Sequence, residues 1–120
     1  MVKAYEVDLS INRYASSDTE DVSITGYLKG LYCTAGNMDE GDTYTLAITD
    51  KHNVTVFSRA SLTGGTTSTI WADKYNELGT TKVEGELLNT PMVGPITVTI
   101  TASSQQDVAA VAYSLVIYYE

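Results

Sequence analysis

The chain has one cysteine, one histidine, one phenylalanine and two prolines in 120 residues, and 7 basic side chains against 15 acidic ones. Each scarcity excludes something. With Cys33 alone, no intrachain disulfide can form, so packing must hold the fold, as expected of a chain made in a reducing cytoplasm. One thiol and one imidazole are too few for a structural zinc site. The formal net charge is −8, and the five lysines and two arginines are scattered rather than clustered. Such a surface repels phosphate backbones and anionic lipid, so neither nucleic acid nor a membrane is an expected partner. No segment approaches the roughly 20 consecutive apolar residues of a helical membrane span. Met1-Val2-Lys3-Ala4-Tyr5-Glu6 leads into acidic alternation instead of an apolar run, so no secretory leader is expected. Asn53-Val54-Thr55 matches a glycosylation tripeptide without a secretory context to use it.

What is present is strict alternation of apolar and small polar residues. In Ile96-Thr97-Val98-Thr99-Ile100-Thr101, the three aliphatic side chains point one way and the three threonines the other. Side chains on a strand alternate faces, so this describes a sheet with one dry and one wet face. Threonine suits the wet face because its branched Cβ favours extended backbone. The same period runs through Tyr5–Asn12, with Tyr5, Val7, Leu9 and Ile11 on one side. It recurs through Tyr44–Phe57 as a hairpin turning at Asp50-Lys51-His52-Asn53, and through Val108–Tyr119. Val22–Thr34 reads as one long strand that Gly26 and Gly30 bend from one sheet towards another. Arg13–Asp21 and Ser61–Thr69 read as polar loops, and Lys82–Leu88 as a further strand. The expectation is a single domain over residues 1–120, an all-β antiparallel β-sandwich, jelly-roll or Ig-like, of roughly seven or eight strands. Residues 1–20 are expected to be either its edge strand or an N-terminal arm that pairs with a partner chain. In the second case, removing Met1 to Asn12 should weaken assembly and leave the domain folded.

No constellation of residues carries chemistry. His52 sits in the hairpin turn beside Asp50, but no Gly-x-Ser-x-Gly elbow accompanies it. Asp39-Glu40-Gly41-Asp42 gathers hard oxygens without the spacing of a calcium loop. Glu84 and Glu86 share a strand face with nothing to split their pKa values, and read as solubilising charge. No phosphate-binding glycine loop is present, and Gly64-Gly65 lacks the following lysine and helix pattern. No catalytic residue, metal or cofactor is expected, and the chain is read as no enzyme. The surplus is tyrosine, 9 of 120 residues. Tyr14, Trp71 and Tyr75 fall in or beside loops, where a large ring needs a surface to cover it, and such rings are enriched at interfaces. Together with Tyr5, Val7, Leu9 and Ile11 of the first segment they form the expected partner-binding set.

Several segments carry a resemblance: Ile24-Thr25-Gly26-Tyr27-Leu28, the hairpin from Thr45 to Val54, Gly94-Pro95-Ile96-Thr97-Val98-Thr99-Ile100, and Tyr113-Ser114-Leu115-Val116-Ile117-Tyr118-Tyr119. In pattern, from about residue 22 to 119, the chain resembles the small all-β virion structural proteins of tailed bacteriophages. The resemblance implies a capsid decoration (cement) protein or a head or tail accessory protein, without catalytic residues. It implies synthesis in the host cytoplasm, residence in the virion, a homo-oligomer, and the major capsid protein or another virion protein as partner. The alternative is a carbohydrate-binding or adhesion module stacking sugars on Trp71 and Tyr75.

Overall fold

The computed structural model describes residues 1–71 and 90–120. The described residues form nine strands: β1 (Lys3–Ile11), β2 (Ser17–Val22), β3 (Gly26–Ala35), β4 (Thr43–Thr49), β5 (Thr55–Thr63), β6 (Thr67–Trp71), β7 (Thr90–Met92), β8 (Ile96–Ala102) and β9 (Val111–Tyr119). Every pairing is antiparallel. One sheet has the order β1-β9-β3-β6, with β7 alongside the start of β3; the other has the order β2-β8-β4-β5. Apart from β4–β5 and β6–β7, successive strands cross between sheets, and the first strand lies beside the last. That is the order of a jelly roll, a double-sheet architecture of two Greek keys. Among the described residues, no helix is long and apolar enough to cross a membrane.

Strand β8 alternates buried and half-exposed residues along most of its length, its aliphatic side chains in the core and Thr97 and Thr99 on the outer face. In β9, Val111, Tyr113, Leu115 and Ile117 face inwards, while Val116 and Tyr118 are half-buried on the outer face. That outer row explains why the last strand carries apolar residues of both parities.

Two segments differ from the sequence expectation. Arg13–Asp21 is not all loop, because Ser17–Val22 pairs with β8 over six positions. Only Val22 of β2 is buried, so the strand has no alternation to announce it. Polar bonds help hold it in place: the Thr97 hydroxyl donates to Asp21 Oδ1 at 2.8 Å, and the Thr19 and Thr99 hydroxyls lie 3.4 Å apart. The single long strand expected over Val22–Thr34 is two, one in each sheet, separated by Ser23-Ile24-Thr25. Gly26 restarts the chain at φ 154°, against the end of β9. Tyr27 N donates to Glu120 O and Glu120 N to Tyr27 O, and a Cβ on Gly26 would sit 2.7 Å from that Glu120 carbonyl. Gly30 falls where the β3–β9 register shifts, so it marks a bulge. The loop expected over Ser61–Thr69 is shorter, β5 continuing to Thr63 and β6 beginning at Thr67. The strand expected over 82–88 lies outside the described residues.

The core between the sheets includes Ile11, Leu28, Leu46, Ile48, Ile100 and Ile117, all fully buried. Three polarisable groups lie within it. The Tyr44 and Tyr113 rings meet edge to face at 5.1 Å between centroids, and the Tyr44 hydroxyl donates to Cys33 Sγ at 3.4 Å. Burial pushes the Cys33 thiol up, opposed by that hydrogen bond, and raises both phenols, Tyr113 to about 12. The Tyr113 hydroxyl has no hydrogen-bond partner among the described residues. A buried hydroxyl without a partner keeps its desolvation cost. Tyr113→Phe retains the ring against Tyr44 and is expected to stabilise the domain by about 1 kcal/mol. The measurement is the urea midpoint, and a lower midpoint in the variant would contradict it.

Candidate interaction surface

At one end of the sandwich, three strand connections converge on Gln106. Its side chain is 0% exposed although it sits in a turn of small polar residues. Oε1 accepts from Asp39 N at 2.9 Å; Nε2 donates to Asp42 Oδ2 at 2.7 Å and to Ser104 O at 3.1 Å. Its backbone joins the β1–β2 loop, accepting from Tyr14 N at 2.6 Å and donating to Ala15 O at 3.0 Å. Asp39 in turn accepts from Asp107 N at 2.7 Å and Val108 N at 3.3 Å, and Asp42 from the Ser104 hydroxyl at 2.7 Å. In the acidic loop considered as a calcium ligand set, Asp39 and Asp42 thus receive donors from their own chain. Among the described residues, no group of three or more His, Cys, Asp and Glu is placed to hold a metal. The Ser104 hydroxyl, then the Gln106 amide, hold the Asp42 carboxyl below the ordinary carboxylate range.

At the opposite end His52 is exposed in the β4–β5 turn. Asp50 Oδ1 accepts from His52 N at 2.9 Å and Val54 N at 3.0 Å, shaping the turn, and Asn53 takes φ 64°. The carboxylate serves the backbone, which is the use expected of an Asx turn. Cys33, the other reactive side chain, is buried between the sheets.

The seven residues expected to bind a partner divide. Val7, Leu9 and Ile11 are 3%, 4% and 0% exposed, because β1 pairs with β9 over nine positions and turns them into its own core. They offer no side-chain surface to another molecule in this fold. Tyr5 shares their parity but lies nearer the strand's start, and is 43% exposed. Tyr14 is 60% exposed at φ 71°, with the Arg13 guanidinium carbon 4.5 Å from its ring centroid. Tyr5 and Tyr14 stand at opposite ends of β1 and make no common site. Trp71 is described by its backbone, opposite Gly30 in register; its ring, and Tyr75, lie outside the described residues, as do Glu84 and Glu86.

Sequence reasoning missed an apolar end. Met1, Val2, Tyr27, Val54 and Val93 are all exposed, and they accompany Tyr5 at the end that carries the termini. The backbone ties this end together: the Met1 ammonium pairs with Glu120 at 3.1 Å, Gly26 pairs with Met92, and Lys51 N donates to Val93 O at 3.0 Å. A sequence signal did exist at Val54, an aliphatic that follows the polar turn Asp50-Lys51-His52-Asn53. On the outer face of the first sheet, Ser10, Thr34, Gly36 and Ala112 floor a groove of about 650 Å³ with Asp8 and Asp18 beside them. Small side chains on three adjacent strands leave this depression.

No family model matches the chain, and no curated protein matches it. Among solved structures it is similar to a chain of the T13 IBDV viral particle, at 17% identity and a TM-score of 0.47, over 99% of this chain and 31% of that one. It is similar also to the infectious bursal disease virus VP2 subviral particle, at 16% and 0.46, over 99% and 33%. A third likeness is to the complex of an Aeromonas sobria serine protease and its chaperone, at 8% and 0.43, over 98% and 26%. The chain spans about a third of the viral chains or less. At these identities and TM-scores neither a family nor an activity follows.

Proposed function

We propose that the protein is a non-enzymatic structural component of a virion, a capsid decoration protein that binds and stabilises a phage head shell as an oligomer. The observation that carries this reading is the apolar end, where Met1, Val2, Tyr5, Tyr27, Val54 and Val93 are each exposed. An exposed apolar patch on a small domain marks a surface that another protein covers. The pattern resemblance to phage virion proteins supports the same reading. Double-sheet jelly rolls serve as capsid and lectin domains alike, so the fold accommodates the role without assigning it. Cys33 lies buried in the core, and His52 stands in an exposed turn shaped by Asp50.

The test is co-sedimentation with phage heads stripped of accessory proteins, in parallel with a glycan array. Saturable pelleting, a higher melting temperature of the loaded shell, and loss of both in a Tyr27→Ser, Val93→Ser variant are the expected results. Failure to pellet, or specific glycan binding without pelleting, would overturn the reading, the second in favour of an adhesion module.

A further inference from the structure

We infer that the free edge of β1 is a docking edge for an extended, lysine- or arginine-bearing segment of another protein, added as a strand to the first sheet. The inference stands apart from the virion reading, since it concerns one sheet edge and the chemistry that fits it.

The direction of the backbone groups is fixed by two bonds. Ser10 and Ala112 face each other across β1 and β9. Ala112 O accepts from Gly36 N at 2.8 Å, on the side of β3, and Ser10 N donates to Asp18 Oδ2 at 2.9 Å, on the other side. The even-numbered residues of β1 therefore direct N–H and C=O away from β9, since both groups of a strand residue point to one side and alternate along the strand. Asp18 caps Ser10; among the described residues no strand hydrogen-bonds to the outward backbone groups of Ala4, Glu6 and Asp8, which face a cleft beside β2.

The two edges of the second sheet differ from that of β1. On β5 the register with β4 slips between Tyr44 and Leu46, where Ser61 takes φ 62°, so a bulge interrupts that edge. Strand β2 is six residues long. By contrast β1 runs for nine pairs with no register shift. A long unbulged edge is a template for a further strand.

Charge identifies the occupant. Glu6 and Asp8 flank the open groups, and a cleft of about 140 Å³ brings Glu20 and Asp21 of β2 beside Tyr5, Glu6, Val7 and Asp8. A second copy of this chain would bring the same acidic edge and another net charge of −8, so like charges oppose self-pairing. A strand laid against β1 would set one row of side chains beside Glu6 and Asp8 and the alternate row beside Tyr5 and Val7. The matching segment alternates basic and aliphatic residues.

The probe is the peptide acetyl-Val-Lys-Val-Lys-Val-Lys-Val-amide, fluorescently labelled, titrated into the full chain by anisotropy, with amide exchange of the protein followed by NMR. The expected result is binding that slows exchange at Glu6 and Asp8. It should weaken by roughly tenfold in the Glu6→Gln, Asp8→Asn variant, where two cross-strand charge pairs are lost. The same peptide N-methylated at alternate residues, and a glutamate-for-lysine version, should not bind. Glu6→Pro removes an outward N–H without touching the β9 ladder, so it should abolish binding and keep the cooperative melt. If Glu6→Pro fails to fold, the N-methylated peptide still separates strand addition from charge attraction. No binding, equal binding of the methylated peptide, or self-association through this edge in sedimentation would each overturn the inference.

Discussion

A chain beginning at residue 13 is expected to have no cooperative unfolding transition. Such a truncation removes Val7, Leu9 and Ile11, each under 5% exposed, together with the nine-position ladder to β9. Burial of three such side chains is worth about 5–9 kcal/mol at roughly 1.5–3 each. A domain of this size has about 5–15 kcal/mol of net stability to lose. The sequence pattern alone allowed a detachable arm and a folded remainder, but the inward parity of these residues makes β1 part of the core. Circular dichroism through a urea titration and the dispersion of the amide NMR spectrum measure the outcome. Ile11→Ala is the graded version, expected to cost about 2–5 kcal/mol by the cavity it leaves. A truncated chain with a sharp, cooperative melt would place β1 outside the core.

Replacement of Gln106 by alanine is expected to destabilise the domain by about 3 kcal/mol, large for a turn residue outside the apolar core. The fully buried side chain bonds Asp39 N, Asp42 Oδ2 and Ser104 O, and truncation removes three hydrogen bonds worth about 1 kcal/mol each. The acid limb of the stability curve changes as well. The Asp42 carboxyl lies below its ordinary 3.8 in the folded protein, held first by Ser104 and then by Gln106. A folded-state value below the unfolded one adds stability above the unfolded pKa, and that stability is lost as pH falls through the folded value. The acid limb below about pH 4 should therefore shrink in Gln106→Ala yet persist through Ser104. Urea midpoints at neutral and acidic pH measure both effects, and a variant within experimental scatter of the parent at both would contradict them.

The legible parts of the chain are those where one side chain in two meets the core. Strand β8 was readable from Ile96 to Thr101 because its parity is unbroken. Strand β2 was not, since Ser17-Asp18-Thr19-Glu20-Asp21-Val22 buries one side chain and pairs through backbone and hydroxyls. The break between β2 and β3 was hidden because Val22, Ile24 and Leu28 keep one parity across two sheets. Strand order depends on pairings such as Lys3 with Tyr119, which no local pattern contains. At the surface, apolar parity in the first segment was read as adhesive, although the core uses it first. Gln106 was illegible for the opposite reason: in Ser103-Ser104-Gln105-Gln106-Asp107 nothing distinguishes the buried glutamine from its solvated neighbour.

The place of Cys33 has a practical consequence. Its sulfur lies between the sheets, 2% exposed and shielded by the Tyr44 hydroxyl, and burial favours the unreactive thiol over the thiolate. A maleimide therefore has no route to it while the sandwich is closed. The rate of alkylation becomes a clock for opening of the native state, readable by mass spectrometry in dilute samples and in crowded assemblies alike.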